Sequence, residues 1–269
     1  MNRYTIDDLE ILIATMNRGD LSFLERIFSK PISEITENII IVNQGTVVLD
    51  SEYSNIQVIN DAQLGLSRSR NIAIQNASKP LCWILDDDVQ LLPGAIESVI
   101  ESHNTNNTAI ITFKTRSDDN EPYYTLGDVS KQHDRKSIRK VLSPEITFKH
   151  KEIINKLSYD ERFGLGSTFE DSENYIFLKE ALDKGVSLMS DPKFVVKHPK
   201  TTSSDMVVTD RVIKARGALA AFDNRPVKLM ALKYMFFLLR KGYVVNLPVL
   251  LKKYQVFVQG ANAYLKSSK

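Results

Sequence analysis

"LCWILDDDV", residues 81–89, places three aspartates, Asp86, Asp87 and Asp88, directly after an apolar run. The run has the length and composition of a strand that is buried on both faces. Adjacent carboxylates repel one another and resist leaving water unless a positive charge compensates them. On an extended segment Asp86 and Asp88 would point the same way, because side chains alternate along a strand. The stretch therefore predicts a buried strand that ends at a site for Mg²⁺ or Mn²⁺.

Apolar segments with the character of strands alternate with helical segments on both sides of this stretch. We predict strands at 9–16, 38–44, 56–61 and 108–115, and helices at 21–28, 65–77 and 93–103. The alternation indicates an α/β fold, a mostly parallel Rossmann-like sheet flanked by helices. Ligands of such sheets bind beyond the carboxyl ends of the strands, and the three aspartates lie at such an end.

The second half of the chain has a less regular pattern. Residues 117–140 are polar and charged without a sustained period, which predicts an irregular excursion. A strand that runs into a helix is predicted at 143–157, and a glycine-containing loop that leads into a helix at 163–185. A last strand is predicted at 188–199, finishing at His198.

Composition limits the class of protein. The 269 residues are 43% hydrophobic, enough for one large domain or for one domain with an appendage. The single cysteine, Cys82, excludes a disulfide framework and a thiolate metal cluster. No run of about 18 uncharged apolar residues occurs, and the first residues are acidic where a signal peptide would be basic, so we predict neither a membrane span nor a signal peptide.

The last 46 residues differ in charge from the rest of the chain. Nine basic and no acidic residues lie between Asn224 and Lys269, whereas residues 1–223 hold 26 basic and 33 acidic residues. We therefore predict a domain at 1–222, with halves at 1–116 and 117–222, and a basic amphipathic helical tail at 223–269. The tail could contact an anionic membrane, pack on the body or form a homo-oligomer interface. No recognised nucleic-acid module is present, so we expect no nucleic-acid partner.

Three chemistries could use the three aspartates. "DDDV" fits the D-x-D-x-[TV] pattern of haloacid-dehalogenase-like phosphatases, although that pattern normally ends the first strand of its domain. A Walker B strand would need a G-x-x-x-x-G-K-[ST] loop, which the sequence lacks. The third chemistry is transfer of a sugar from a nucleotide sugar, and the surrounding residues favour it.

"GLSRSRNIAIQNA" (65–77) is followed closely by "CWILDDDVQLLPGAI" (82–96). Together they resemble the signature of GT-A fold, family 2 glycosyltransferases, in which a G-x-[SA]-x-x-R-N helix precedes an apolar strand, a D-x-D motif and a proline-started helix. The resemblance implies transfer from a nucleotide-sugar donor, a UDP-sugar by family frequency, to a glycan or lipid-linked acceptor. It makes 1–116 the nucleotide-sugar-binding half of the domain and 117–222 the acceptor-binding half. It also implies a Mn²⁺ or Mg²⁺ cofactor, inversion at the anomeric carbon, and work on a surface polysaccharide at the cytoplasmic face of the cell membrane. A non-catalytic nucleotide-sugar-binding protein is the contrasting hypothesis.

The same resemblance implies roles for individual residues. Asp88 would bind the metal directly, with Asp86 near the ribose or the metal's water shell. Arg70 would pair with the diphosphate, unless it is an ordinary surface arginine. Residues that follow the first and third strands would hold the base and ribose. The implied nucleotide-sugar-binding set is Thr15, Asn17, Arg18, Asp61, Arg70, Asp86 and Asp87.

A later motif, "GLGSTFEDSENYIFLKEAL" (164–182), resembles the family's acceptor loop, in which an E-D pair opens a helix. The resemblance makes Asp171 the general base that deprotonates the acceptor hydroxyl, with Glu170 as its neighbour. The alternative is that both carboxylates only favour the positive end of the helix dipole. His198 occupies a place where some relatives hold a further metal ligand, although an isolated histidine is more often a packing residue.

Overall fold

The sheet of the computed structural model contains nine strands within the residues that the structure describes, which are 3–124, 127–199 and 206–267. The strands are β1 (Leu9–Met16), β2 (Asn38–Gln44), β3 (Ile56–Asp61), β4 (Leu81–Asp86), β5 (Gln90–Leu91), β6 (Ile110–Arg116), β7 (Lys131–Gln132), β8 (Ile146–Lys149) and β9 (Leu188–Lys197). Their order is β3-β2-β1-β4-β8-β6-β9-β5, and β7 also pairs with β9.

The pairing confirms a mixed, mostly parallel α/β sheet. The first four strands are all parallel, as is the pair β6 and β9, whereas β8 runs antiparallel to β4 and β6. The carboxyl ends of the parallel strands meet at one edge, where Thr15 is registered with Asn43, Ala14 with Asp86, and Gln44 with Asp61. Polar residues from four strands are therefore gathered at this edge, as the sequence predicts.

Helices cover the sheet and continue after it. They are α1 (Phe23–Phe28), α2 (Leu66–Asn76), α3 (Ala95–Thr105), α4 (His150–Ile153), α5 (Glu173–Asp183), α6 (Asp210–Phe222), α7 (Val227–Arg240) and α8 (Leu247–Ser267). None of the described helices is long and apolar enough to cross a membrane. Short 3₁₀ turns lie at Ile6–Asp8, Ile32–Glu34, Ser137–Lys140 and Ser143–Glu145.

The main core explains why the strands are apolar on both faces. Side chains of β1 and β4 such as Ile13 and Trp83 are fully buried, and Leu24 and Ile27 of α1 pack into the same cluster. The Trp83 indole nitrogen donates a hydrogen bond to the carbonyl of Pro144 at 2.9 Å. This bond ties the turn Ser143–Glu145 to β4, just before the aspartates.

Strand β4 is shorter than the sequence suggests. It ends at Asp86, so the strand predicted to reach residue 89 was wrong in its last three residues, and Asp87 and Asp88 lie in a turn. Pairing with β1 stops at Asp86 and pairing with β8 stops at Trp83, so no neighbouring backbone extends the strand further. The strand predicted to finish at His198 likewise ends at Lys197. Within the described part of 117–140, the regular elements are β7 and the turn Ser137–Lys140, while Thr125 and Leu126 lie outside the described residues.

The chain divides into two compact units. One comprises Met1–Asp160 and Asn174–Lys200, and the other comprises Glu161–Glu173 and Thr201–Lys269. In the second unit α6 and α8 touch backbone to backbone, because a Cβ at Gly217 would overlap the carbonyl oxygen of Phe257 and one at Gly260 would overlap that of Lys214. The predicted domain boundaries were drawn from composition and stay a prediction.

Candidate functional site

Asp86, the last residue of β4, is held by two side chains. Its Oδ1 accepts a hydrogen bond from Arg70 Nη2 at 2.9 Å, and its Oδ2 accepts one from Ser143 Oγ at 2.6 Å. The Arg70 side chain is only 2% exposed, donates to Asn174 Oδ1 at 3.1 Å, and lies over the ring of Tyr159. Arg70 thus fixes the Asp86 carboxylate from inside the protein, and its contact with a diphosphate stays a prediction.

Asp87, the middle aspartate, links the turn to β1 and α1. Its Oδ2 accepts hydrogen bonds from Thr15 Oγ1 at 2.6 Å and from Arg18 Nε and Nη2 at 3.0 and 2.7 Å. Its backbone carbonyl accepts a further bond from Arg26 Nη2 at 2.7 Å. Three of the predicted donor-site residues, Thr15, Arg18 and Asp87, therefore contact one another, and two arginines place positive charge beside the turn.

Asp88 faces His198. The buried Asp88 Oδ1 has no hydrogen-bond partner among the described residues and lies 3.5 Å from His198 Nε2. Burial raises the pKa of the Asp88 carboxyl and outweighs the opposing effect of His198, and the charges of Asp86 and Asp87 raise it further. His198 Nδ1 lies 2.8 Å from the carbonyl of Pro199, which can only accept, so Nδ1 carries the hydrogen.

Asp88 and His198 present a carboxylate oxygen and an imidazole nitrogen to each other at 3.5 Å. The two atoms form an ion pair when the ring is protonated, and both can accept a proton or a metal ion when it is neutral. Imidazole with carboxylate suits Mn²⁺ or another divalent transition metal. The predicted trio is incomplete, however, since no group of three or more His, Cys, Asp or Glu residues in the described chain is arranged to hold a metal. Asp86 has other partners, and the argument from strand alternation fails because the turn begins at Asp87.

Two further predicted residues have local roles at the same edge. Asn17 adopts a φ of +52° and its Oδ1 accepts a hydrogen bond from the backbone of Thr46 at 3.0 Å, so it shapes the turn after β1. Asp61 accepts from Arg68 Nε at 2.7 Å and from the backbone of Gln63 at 3.1 Å. Asn17 follows the last residue of β1 and Asp61 is the last residue of β3, while their contact with a base or ribose stays a prediction.

Sequence reasoning missed residues that support the site. Asn43 Oδ1 accepts from the backbone N–H of Arg18 at 3.0 Å, and its Nδ2 donates to the carbonyl of Val47 at 2.8 Å. Its position at the carboxyl end of β2 could have revealed it by the rule that selects Thr15 and Asp61. Ser143 gives no such signal, because it follows an irregular segment 57 residues after its partner Asp86.

The predicted acid pair lies in the second compact unit. Asp171 Oδ2 is 2.7 Å from Arg216 Nε, and Glu170 Oε2 is 3.1 Å from Arg211 Nη1. Helix α5 begins only at Glu173, after Ser172 with a φ of +75°, so the prediction that the pair opens the helix was wrong. A positive φ at a non-glycine residue breaks helical geometry, so the dipole of α5 alone does not explain the pair.

Comparison with known proteins assigns the fold and its residues to a family. The model of glycosyl transferase family 2 matches residues 10–185, a span that contains both the aspartate turn and the acid pair. The chain belongs to this family. No curated protein matches the sequence. The predicted resemblance to GT-A fold, family 2 glycosyltransferases is therefore confirmed.

Solved structures share the fold of this family 2 glycosyltransferase. A crystal structure of S. aureus TarS 1–349 is 15% identical, with 96% of this chain and 82% of that chain covered and a TM-score of 0.57. The complex of TarS 1–349 with UDP-GlcNAc is 14% identical, with 95% and 83% covered and a TM-score of 0.57. At this identity the likeness shows the fold alone.

Glu145 lies in the turn that carries Ser143, and its burial predicts a pH dependence of the free energy of unfolding. Its Oε2 accepts from the backbone of Leu142 at 3.0 Å, which closes the turn that carries Ser143. Burial raises the pKa of the Glu145 carboxyl from its ordinary value of 4.5 to about 7. The unfolded chain loses this proton at a lower pH than the folded chain does. Stability that is fully present below pH 4.5 is therefore lost as the pH rises toward 7.

We expect the substitution Glu145→Gln to remove this loss. Between pH 4.5 and 8, the free energy of unfolding of the variant should rise relative to that of the wild type by roughly 3 kcal/mol. Urea unfolding across this range measures the difference, in which groups common to both proteins cancel. Glu97→Gln, at an exposed position of α3, is the matched control and should leave the difference flat. A flat result for Glu145→Gln as well would show that Glu145 stays ionised in the folded protein.

Proposed function

We propose that this family 2 glycosyltransferase moves a sugar from a nucleotide-sugar donor to a hydroxyl group of a glycan or lipid-linked acceptor. The observation that carries the proposal is the turn at Asp86–Asp88, where the buried Asp88 Oδ1 and His198 Nε2 lie 3.5 Å apart at the carboxyl edge of the parallel strands. The edge also holds the cations Arg18 and Arg26. Atoms that can bind a metal ion therefore lie beside arginines that can bind phosphate oxygens. A nucleoside diphosphate bound with its metal ion uses both.

The donor we propose is a UDP-sugar. TarS, which shares this fold, has been crystallised with UDP-GlcNAc and with UDP. In this chain Thr15, at the carboxyl end of β1, Arg18, just after it, and Asp61, the last residue of β3, would contact the nucleoside part. The guanidinium groups of Arg18 and Arg26 would attract the diphosphate toward the turn.

A divalent ion, Mn²⁺ or Mg²⁺, is the proposed cofactor. Asp88 and His198 would hold it, and Asp86, fixed by Arg70 and Ser143, would shape its surroundings. When bound, the ion would neutralise charge that builds up on the departing diphosphate. In a displacement of this kind, stabilising such charge commonly lowers the activation barrier more than any other single effect does.

Asp171 is the proposed general base. The acceptor hydroxyl must lose a proton when it attacks the anomeric carbon, and a carboxylate held by Arg216 can accept it. Glu170, held by Arg211, is its neighbour in the loop. A single displacement of this type inverts the configuration at the anomeric carbon. The proposed setting is surface-polysaccharide synthesis at the cytoplasmic face of the cell membrane, with the basic tail in contact with anionic lipid.

The test is a donor-hydrolysis panel on the purified full-length protein. UDP-sugars and other nucleotide sugars are incubated with and without Mn²⁺, and free nucleotide is measured. We expect metal-dependent release from a UDP-sugar. Release from a different nucleotide sugar would correct the base, whereas phosphate release from a simple phosphoester without nucleotide release would overturn the proposal in favour of a phosphatase.

A further inference from the structure

Helix α7 and the segment after it expose an unusual amount of apolar surface. Half of the exposed large hydrophobic side chains in the described residues lie between Leu229 and Leu251. On α7 they form a single stripe at helical spacing, which we call the α7 stripe: Leu229, Leu232, Phe236 and Leu239. Phe236 is 66% exposed, and Val245 and Leu247 beyond the helix are 81% and 65% exposed. Contiguous apolar surface of this kind marks an interaction site.

The opposite face of α7 is already occupied. Ala231, Met235 and Leu238 are buried in the core of the second unit. One face of helix α8 is also buried, and it includes Phe257, Gly260 and Ala261. From the sequence alone, each tail helix could contact a partner along its whole length. In the structure the exposed large apolar side chains of the two helices concentrate on the α7 stripe, the segment 241–246 and the start of α8 up to Leu251, with Leu265 apart from them.

Basic side chains flank the α7 stripe. The helical period places Lys233 and Arg240 along one margin and Lys228 along the other, and all three are exposed. Lys241 and Lys252 extend the positive charge past the helix. Between Asn224 and Lys269 the chain has no carboxylate that could balance these cations.

This charge pattern selects among partners. A second copy docked through the stripe would bring two sets of lysines and arginines together without compensation, which disfavours self-association. A lipid surface with anionic headgroups satisfies both features, because acyl chains accept the leucines and phenylalanine while phosphates pair with the flanking cations.

We propose that the α7 stripe and its flanking cations form the surface through which this chain lies on an anionic lipid bilayer. The inference deepens the proposed function, since it specifies the part of the tail that holds the enzyme at a membrane. Helix α7 would lie in the plane of the interface, with Leu232 and Phe236 inserted below the headgroups. The second unit would stay folded, because the residues that insert are not those that form its core.

The test uses the full-length protein and sedimentation with vesicles. Vesicles contain either phosphatidylcholine alone or phosphatidylcholine with phosphatidylglycerol. We expect binding to the anionic vesicles to be at least about tenfold tighter and to weaken with added salt. The double variant Leu232→Glu/Phe236→Glu should lose at least about tenfold in binding. The matched control, Val48→Glu/Val129→Glu, places the same charges at exposed apolar residues of the first unit and should change binding by less than about twofold.

Three outcomes would overturn the surface assignment. These are no binding to anionic vesicles, an equal loss in the control variant, and a dimer in solution that dissociates only in the Leu232→Glu/Phe236→Glu variant. Donor hydrolysis in vesicle-free buffer is measured on every variant. Hydrolysis without vesicle binding would reject the membrane surface and leave the proposed activity standing. Vesicle binding without hydrolysis would support the membrane surface and reject the proposed activity.

Discussion

Donor turnover is expected to fall by at least about 100-fold when Asp88 is replaced by Asn. Its Oδ1 is buried, has no hydrogen-bond partner in the described residues and lies 3.5 Å from His198 Nε2, where we propose that the metal ion binds. Burial raises the pKa of this carboxyl against the opposing effect of His198, so a further positive charge nearby would favour its ionised form. Asn keeps the volume and removes the charge, so metal affinity and stabilisation of the departing diphosphate should fall together.

Two measurements separate this role from a structural one. Titration with Mn²⁺, followed by electron paramagnetic resonance, should show weaker binding in Asp88→Asn, while the thermal unfolding midpoint stays close to that of the wild type. Asp7→Asn is the matched control, because Asp7 is exposed and lies before β1, at the end of the strand remote from the turn. Unchanged Mn²⁺ affinity in Asp88→Asn would reject the metal role of Asp88.

The strands of this site could be predicted because a strand's apolar residues are neighbours in the sequence. β1, β2 and β3 have the predicted limits: β1 and the middle of β2 are near-continuous apolar runs, whereas β3 mixes apolar and polar residues and buries only Ile56. Helix α6 was not predicted. Its buried face is mainly alanine and glycine, with Gly217 at the contact with α8, and small residues give no strong periodic signal.

Contacts within the site were predictable only where strand order determines them. Thr15 and Asp87 meet because β1 and β4 are adjacent parallel strands, and their carboxyl ends share an edge. The partners of Arg70 could not be foreseen in the same way. Asn174 lies 104 residues further along the chain, and an arginine that orients a carboxylate looks identical in sequence to one that binds a phosphate.

Transfer to an acceptor is expected to fall by about 100- to 10,000-fold in Asp171→Asn. The isosteric amide keeps hydrogen-bonding capacity but cannot accept a proton from a sugar hydroxyl. The carboxylate is held in a loop whose backbone is fixed on both sides, by the bond from Asp171 N–H to the Phe169 carbonyl at 2.8 Å and by Ser172 in a left-handed conformation. Such fixation is what a proton acceptor needs, because proton transfer requires hydrogen-bond reach in the reacting complex.

The competing explanation is that Asp171 only anchors α6 through Arg216, and the control must remove an equivalent anchor. Asp210→Asn does so, because Asp210 pairs with Lys253 at 2.8 Å within the same unit. A general base predicts that Asp210→Asn keeps its activity and that Asp171→Asn loses the acidic limb of the kcat/KM profile. Added formate should also partly restore transfer in Asp171→Ala. Equal losses in both Asn variants, with lowered unfolding midpoints and no effect of formate, would make Asp171 a structural anchor and leave the base to be found elsewhere.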